Sequence, residues 1–133
     1  MMKLTSLLHK DIVYYESVSW HSSQVMPGVR FSLRRVSLRQ RIELNRRVKE
    51  LTIKHEFLIA GGTPDRLEAA LSDLLVAKLY VEWGLQQIEG LSIDGQNATA
   101  DLLIAYGPES LTNEIGLLIQ AQSSLTDDER KNS

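Results

Sequence analysis

The sequence predicts a mainly α protein: an antiparallel helical hairpin and two shorter helices, preceded by a small N-terminal β-hairpin. Three observations carry this. Apolar residues recur at helical spacing from Leu38 to Ile59 and again from Leu67 to Leu79, so two amphipathic helices are separated by little more than Gly61-Gly62. Cap chemistry marks helix starts at Ser37, Thr63, Thr99 and Pro108. Residues 29–34 instead alternate apolar and polar, the period of a strand. With 133 residues, 43% hydrophobic, the chain can bury one core, so residues 1–124 are expected to form a single domain, with 125–133 as a tail.

The first ten residues hold only the Leu7-Leu8 pair before charge resumes, and no stretch approaches the roughly 18 apolar residues of a membrane span. A soluble, unexported, cytoplasmic protein is expected. The absence of cysteine removes disulfides and thiolate metal sites as sources of stability. The β-hairpin spans 11–36: Ile12-Val13-Tyr14-Tyr15 and Val18-Ser19-Trp20 are β-branched and aromatic, Val29, Phe31 and Leu33 alternate with Arg30, Ser32 and Arg34, and Pro27-Gly28 favours the turn. An isolated hairpin is marginal in water, so it should lie on the helical body or pair with another chain.

Ser37 and Gln40 have the spacing of a capping box and open a helix that runs to Ala60. Leu38, Ile42, Leu44, Val48, Leu51, Leu58 and Ile59 form its apolar face, Arg39, Arg46, Arg47, Lys49 and Lys54 its basic one. Gly61-Gly62 ends it. Thr63-Pro64-Asp65 then supplies a hydroxyl cap, a first-position proline and a first-turn acid for a second helix ending at Gly84, with an apolar stripe of Leu67, Ala70, Leu71, Leu74, Leu75 and Leu79 that can extend to Val81. Residues 37–84 thus read as a helical hairpin, in which Asp65, Glu68, Asp73 and Glu82 should face the arginines of the first helix. In 85–124, Leu85 to Ile93 can hold a short extended piece, Asp94-Gly95 is a turn, Thr99 caps a helix over 100–106, and Gly107-Pro108-Glu109 starts the last helix, which ends near Ser123.

Charge is divided along the chain. Residues 1–55 carry 11 Lys and Arg against 4 Asp and Glu, and residues 56–133 carry 4 against 13, so a net charge of −2 conceals two opposed halves. Such a surface suits a charged partner, a second copy of the chain, or internal neutralisation.

Catalytic signatures do not emerge. His9, His21 and His55 are scattered and form no H-E-x-x-H or similar metal set. Ser22 and Ser23 adjoin His21, but sequence neighbours rarely build a nucleophile and base, and no oxyanion-hole loop follows. Gly61-Gly62-Thr63 lacks the spacing and lysine of a phosphate-binding loop, and Asp94-Gly95 lacks the acids of a calcium loop. The expectation is a non-enzyme without metal or cofactor. Basic helix 37–60 raises nucleic-acid binding as an alternative, weakened by the acidic total and by aromatics that are not interleaved with the arginines. Trp20, Tyr80, Trp83 and Tyr106 read mainly as core, with Trp83 at a helix end also suited to anchoring a partner.

Ordered short motifs over residues 29–133 resemble a family of small prophage proteins known as phage tail assembly chaperones or tail-region proteins. They include Val29 to Ser37, Arg41-Ile42-Glu43-Leu44, Glu56-Phe57-Leu58 with Ala60-Gly61, Tyr80 to Leu85, Glu89 to Gly95 with Ala98-Thr99, Gly107-Pro108-Glu109, and Glu129 to Ser133. The resemblance implies a mainly helical, non-catalytic protein of the host cytoplasm that binds a tape-measure or tail-tube protein during assembly. No residue-level site transfers from it. Contact candidates chosen on physical grounds are Arg39, Arg46 and Arg47 on the basic face and Tyr80 and Trp83 as anchors, with homo-oligomerisation a further possibility and a nucleic-acid-binding regulator the alternative.

Overall fold

The computed structural model describes residues 12–60 and 66–123. Its elements are β1 (Val18–Ser22), β2 (Arg30–Arg34), α1 (Leu38–Ala60), α2 (Arg66–Gly84), β3 (Leu85–Glu89), β4 (Ser92–Ile93), β5 (Gln96–Asn97), α3 (Ala100–Tyr106) and α4 (Glu109–Ser123). The diglycine bend with Thr63-Pro64-Asp65 and the tail at 125–133 lie outside the described residues, as do the side chains of Leu58 and Ile59.

The architecture is mixed α/β, which corrects the mainly α expectation. The N-terminal hairpin acquires a third strand: β3 pairs antiparallel with β2, giving the order β1-β2-β3, so β2 is central rather than half of an isolated hairpin. Its three middle residues, Phe31, Ser32 and Leu33, are all buried. The β2–β3 register shifts between Ser32 and Leu33, so that Phe31 faces Ile88 and Leu33 faces Leu85. This bulge places two core residues of β3 three positions apart and breaks the two-residue period by which a strand is recognised. The expected strand start is also displaced. Residues 12–16 join no strand, and Ile12, Val13, Tyr14 and Tyr15 are exposed.

At Ser37 and Thr99 the expected cap chemistry is realised. The Gln40 amide N–H donates to Ser37 Oγ (3.2 Å) while the Ser37 N–H donates to Gln40 Oε1 (3.3 Å), which satisfies two otherwise unpaired helix-end donors. Thr99 Oγ1 accepts the Leu102 N–H (3.2 Å) at the start of α3. Asp94 (φ 50°) and Gly95 (φ 80°) both take positive φ, the signature of a type I′ turn, and close the two-stranded β4–β5 hairpin.

One hydrophobic cluster joins the elements. Phe31 and Leu33 from the sheet meet Leu44 of α1, Tyr80 and Val81 of α2, Leu103 of α3, and Leu111, Ile115 and Ile119 of α4. Helix α1 runs antiparallel to α2, since Arg47 lies over Trp83 while Val48 and Thr52 share a groove with Tyr80, Val76 and Asp73. Two polar clamps fix α4 in place. Asn45 Nδ2 donates to the carbonyl oxygens of Arg41 (2.8 Å) and Ser123 (2.7 Å), and Arg41 Nε donates to Ser123 O (3.3 Å), putting a cation and an amide on the negative end of α4. At the opposite side, Glu114 accepts from Ser23 Oγ and from the Gln24 N–H, both at 2.6 Å, tying the β1–β2 loop to α4.

Candidate functional site

Two surfaces emerge, and neither coincides with the residues expected from sequence. The first is the outer side of α2. The N-terminal part of the apolar stripe predicted to face the core is open to solvent: Leu67, Leu71, Leu74 and Leu75 are exposed, Leu71 and Leu74 by 48% and 53%. The C-terminal end of the stripe does reach the core, with Val81 buried and Leu79 packed against it; Tyr80 is buried as read from sequence, and Val76 and Trp83 pack alongside. Positions 67, 71, 74 and 75 follow the i, i+4, i+7, i+8 spacing that puts side chains on one side of a helix. Grooves flank this helix. One of about 480 Å³ lies between α1, α2 and α4 with exposed Leu117 on its wall, and one of about 400 Å³ lies between α2, α3 and α4 with Leu74 on its wall.

The cross-hairpin charge pairing expected of Glu68, Asp73 and Glu82 is not formed among the described residues, and Asp65 lies outside them. Among the described residues, Glu68, Asp73 and Glu82 are exposed and make no ion pair with α1. Arg46 pairs with Glu43 in its own helix (3.9 Å), and the Arg47 guanidinium lies 4.7 Å from the centre of the Trp83 ring. The basic face therefore meets α2 through a cation–π contact. Arg39 is exposed in the first turn of α1. Tyr80 is only 4% exposed and serves the core. Trp83 is half-buried beneath Arg47, its Nε1 buried without an acceptor among the described residues. The five residues are thus split: Arg47, Tyr80 and Trp83 bind the hairpin together, while Arg39 and Arg46 face solvent.

The second surface is the outer side of the three-stranded sheet, opposite the core. Trp20 lies here with the Arg30 guanidinium 4.9 Å from its ring centre, and Arg30 also reaches Glu89 (3.4 Å). With the Gln86 amide oxygen turned toward it, the Arg34 guanidinium donates through Nε (3.0 Å) and Nη2 (2.6 Å). Arg35 donates to Val18 O (3.4 Å) and lies 5.7 Å from the Tyr15 ring centre. Trp20 and Tyr106, read from sequence as core, are 37% and 73% exposed. Strand pairing and the chain's return toward Ser17 bring aromatics and arginines together that are separate in sequence.

No converging catalytic set is present among the described residues. His21 stacks on Phe31 and shares a hydrogen bond with Ser19 Oγ (2.9 Å), while the Ser23 hydroxyl turns away to Glu114. No carboxylate touches His21 among these residues, and they contain no group of three potential metal ligands. No described helix is long and apolar enough to cross a membrane. No protein-family model, curated protein or solved structure matches this chain.

Proposed function

We propose that the protein is a non-catalytic assembly chaperone of the phage-tail type, holding an amphipathic helix of a tape-measure or tail-tube protein on the outer side of α2. The exposed leucines of α2 carry this reading: a folded domain ordinarily buries such a stripe, and leaving it open, with Leu74 on the wall of a groove beside α4, prepares a seat for a partner's apolar face. Exposed Glu68 and Glu82 border it, with exposed Lys78 on the same side, and favour a partner helix with charged flanks. The sequence resemblance supplies the class of partner.

A regulator that uses helix 37–60 to bind nucleic acid has less support, because Arg41 caps α4, Arg46 pairs with Glu43 and Arg47 covers Trp83. The decisive experiment is co-purification with fragments of phage tape-measure and tail-tube proteins, comparing wild type with Leu71→Glu and Leu74→Glu. Each leucine that docks contributes about 1.5–3 kcal/mol, so either substitution should weaken binding at least about ten-fold. Stability should change by no more than about 0.5 kcal/mol, since both positions are exposed. Absence of binding to these proteins, or binding indifferent to both substitutions, refutes the proposal.

A further inference from the structure

The outer sheet face is a different site, independent of the leucine seat on α2. We infer that it binds single-stranded nucleic acid, with Trp20 and Tyr15 stacking on bases and Arg30, Arg34 and Arg35 meeting phosphates. Four observations converge on this. The core lies on the opposite side of the sheet, where Phe31 and Leu33 are fully buried, and none of the described helices packs on this side. Each of the two aromatic rings stands beside an arginine, Trp20 with Arg30 and Tyr15 with Arg35. Arg34 and Arg35 have no carboxylate partner among the described residues, so their charge is available to an anion. Between them opens a hollow of about 330 Å³ whose walls include Tyr15, Arg34, Arg35, Ser37 and Gln86, combining guanidinium, hydroxyl and amide donors with a ring.

Geometry selects the polymer. Arg30 and Arg34 stand on one side of β2, four residues and therefore about 13 Å apart, a spacing that tracks an extended chain. An acidic polypeptide would satisfy the guanidinium groups but leave the exposed rings without a stacking partner. A nucleic-acid strand uses both, through base–aromatic stacking and phosphate contact. A duplex keeps its bases stacked on one another, and this flat face offers no helix to enter its groove, so the single strand is preferred. Glu89 is already held by Arg30, which limits its repulsion of phosphate.

The test is fluorescence anisotropy with a labelled oligothymidylate of about 12 nucleotides. Its duplex form serves as comparison and polyglutamate as unlabelled competitor. Three phosphate contacts on a single strand give a log–log salt slope of about −2 between roughly 50 and 200 mM salt. Trp20→Ala should weaken binding about ten-fold, Trp20→Phe should largely restore it, and Arg34→Ala should flatten the salt slope by about 0.7. Arg46→Ala on α1 should change nothing. Circular dichroism of each variant separates loss of binding from loss of fold, and should Trp20→Ala unfold, the exposed Arg34→Ala and Arg35→Ala variants decide. The inference is overturned by no binding at low salt, by equal affinity for the duplex, by insensitivity to Trp20 and Arg34, or by polyglutamate displacing the strand as well as unlabelled oligothymidylate does.

Discussion

Gly90 and Gly95 hold nearly the same backbone conformation, φ 82° and 80°, but differ in what surrounds them, so paired alanine substitutions separate local strain from tertiary contact. At Gly95, in the β4–β5 turn, an added Cβ meets nothing within 4 Å. Only left-handed strain is paid, and Gly95→Ala should cost about 1–2 kcal/mol. At Gly90, just after β3, the same Cβ would run into the carbonyl oxygen of Gly28, in the loop before β2. That oxygen cannot retreat alone. The following residue, Val29, is 4% exposed, its N–H donates to Met26 O (3.1 Å), and its carbonyl accepts the Ser23 N–H (2.8 Å). Moving the loop forfeits one or both bonds, each worth about 0.5–1.5 kcal/mol, together with packing at Val29. Gly90→Ala should therefore cost about 3–4 kcal/mol in all, roughly 2 more than Gly95→Ala.

Urea denaturation followed by circular dichroism measures both, with an unchanged slope confirming that the folded and unfolded states remain comparable. Asparagine, which tolerates left-handed backbone, should restore near-wild-type stability at 95 and fail at 90. Equal costs for the two alanines, within about 0.5 kcal/mol, would refute the claim that the Gly28–Gly90 approach fastens the loop to the sheet.

Gly84 ends α2 against α4, where an added Cβ would lie 2.7 Å from Ile119 Cδ1, 2.9 Å from Cγ1 and 3.0 Å from Cγ2. Overpacking costs about 1–3 kcal/mol and outweighs a helix-propensity gain of at most about 1, so Gly84→Ala should lower the thermal midpoint, and the loss should shrink in an Ile119→Ala background. Glu114→Ala removes the acceptor for both Ser23 Oγ and the Gln24 N–H and should cost about 2–3 kcal/mol, with hydrogen exchange rising in the β1–β2 loop before it rises in α1.

Much of the local structure was legible because its causes are local. Ser37 with Gln40, Thr99, and Asp94-Gly95 specify caps and a turn through atoms within three residues of one another, and each forms as read. Which side of a helix is buried is not a local property. The stripe at Leu67, Leu71, Leu74 and Leu75 has the right spacing for a core, yet only its C-terminal continuation at Val81 is buried, and α1 and α4 otherwise pack on the sides bearing Val76, Tyr80 and Trp83. Apolar residues line both sides of α2, and periodicity could not choose between them. An extended piece from Leu85 was legible, but its place in the sheet was hidden for another reason: Leu85 and Ile88 both face the core only because the β2–β3 register slips between Ser32 and Leu33.

The proposed binding surfaces follow the same division. Arginine richness and segregated charge are visible in composition, but Trp20 beside Arg30 and Tyr15 beside Arg35 are products of strand pairing. The sequence by itself determined where helices begin, where the chain turns, and that positive charge is concentrated in residues 1–55, since these depend on neighbouring atoms or simple counting. Tertiary structure alone decided that Leu85–Glu89 completes a sheet, that four leucines of α2 face outward, and that arginines meet aromatic rings on an open face. Each of these depends on which distant segments compete successfully for the same buried surface, and burial is a property of the assembled chain.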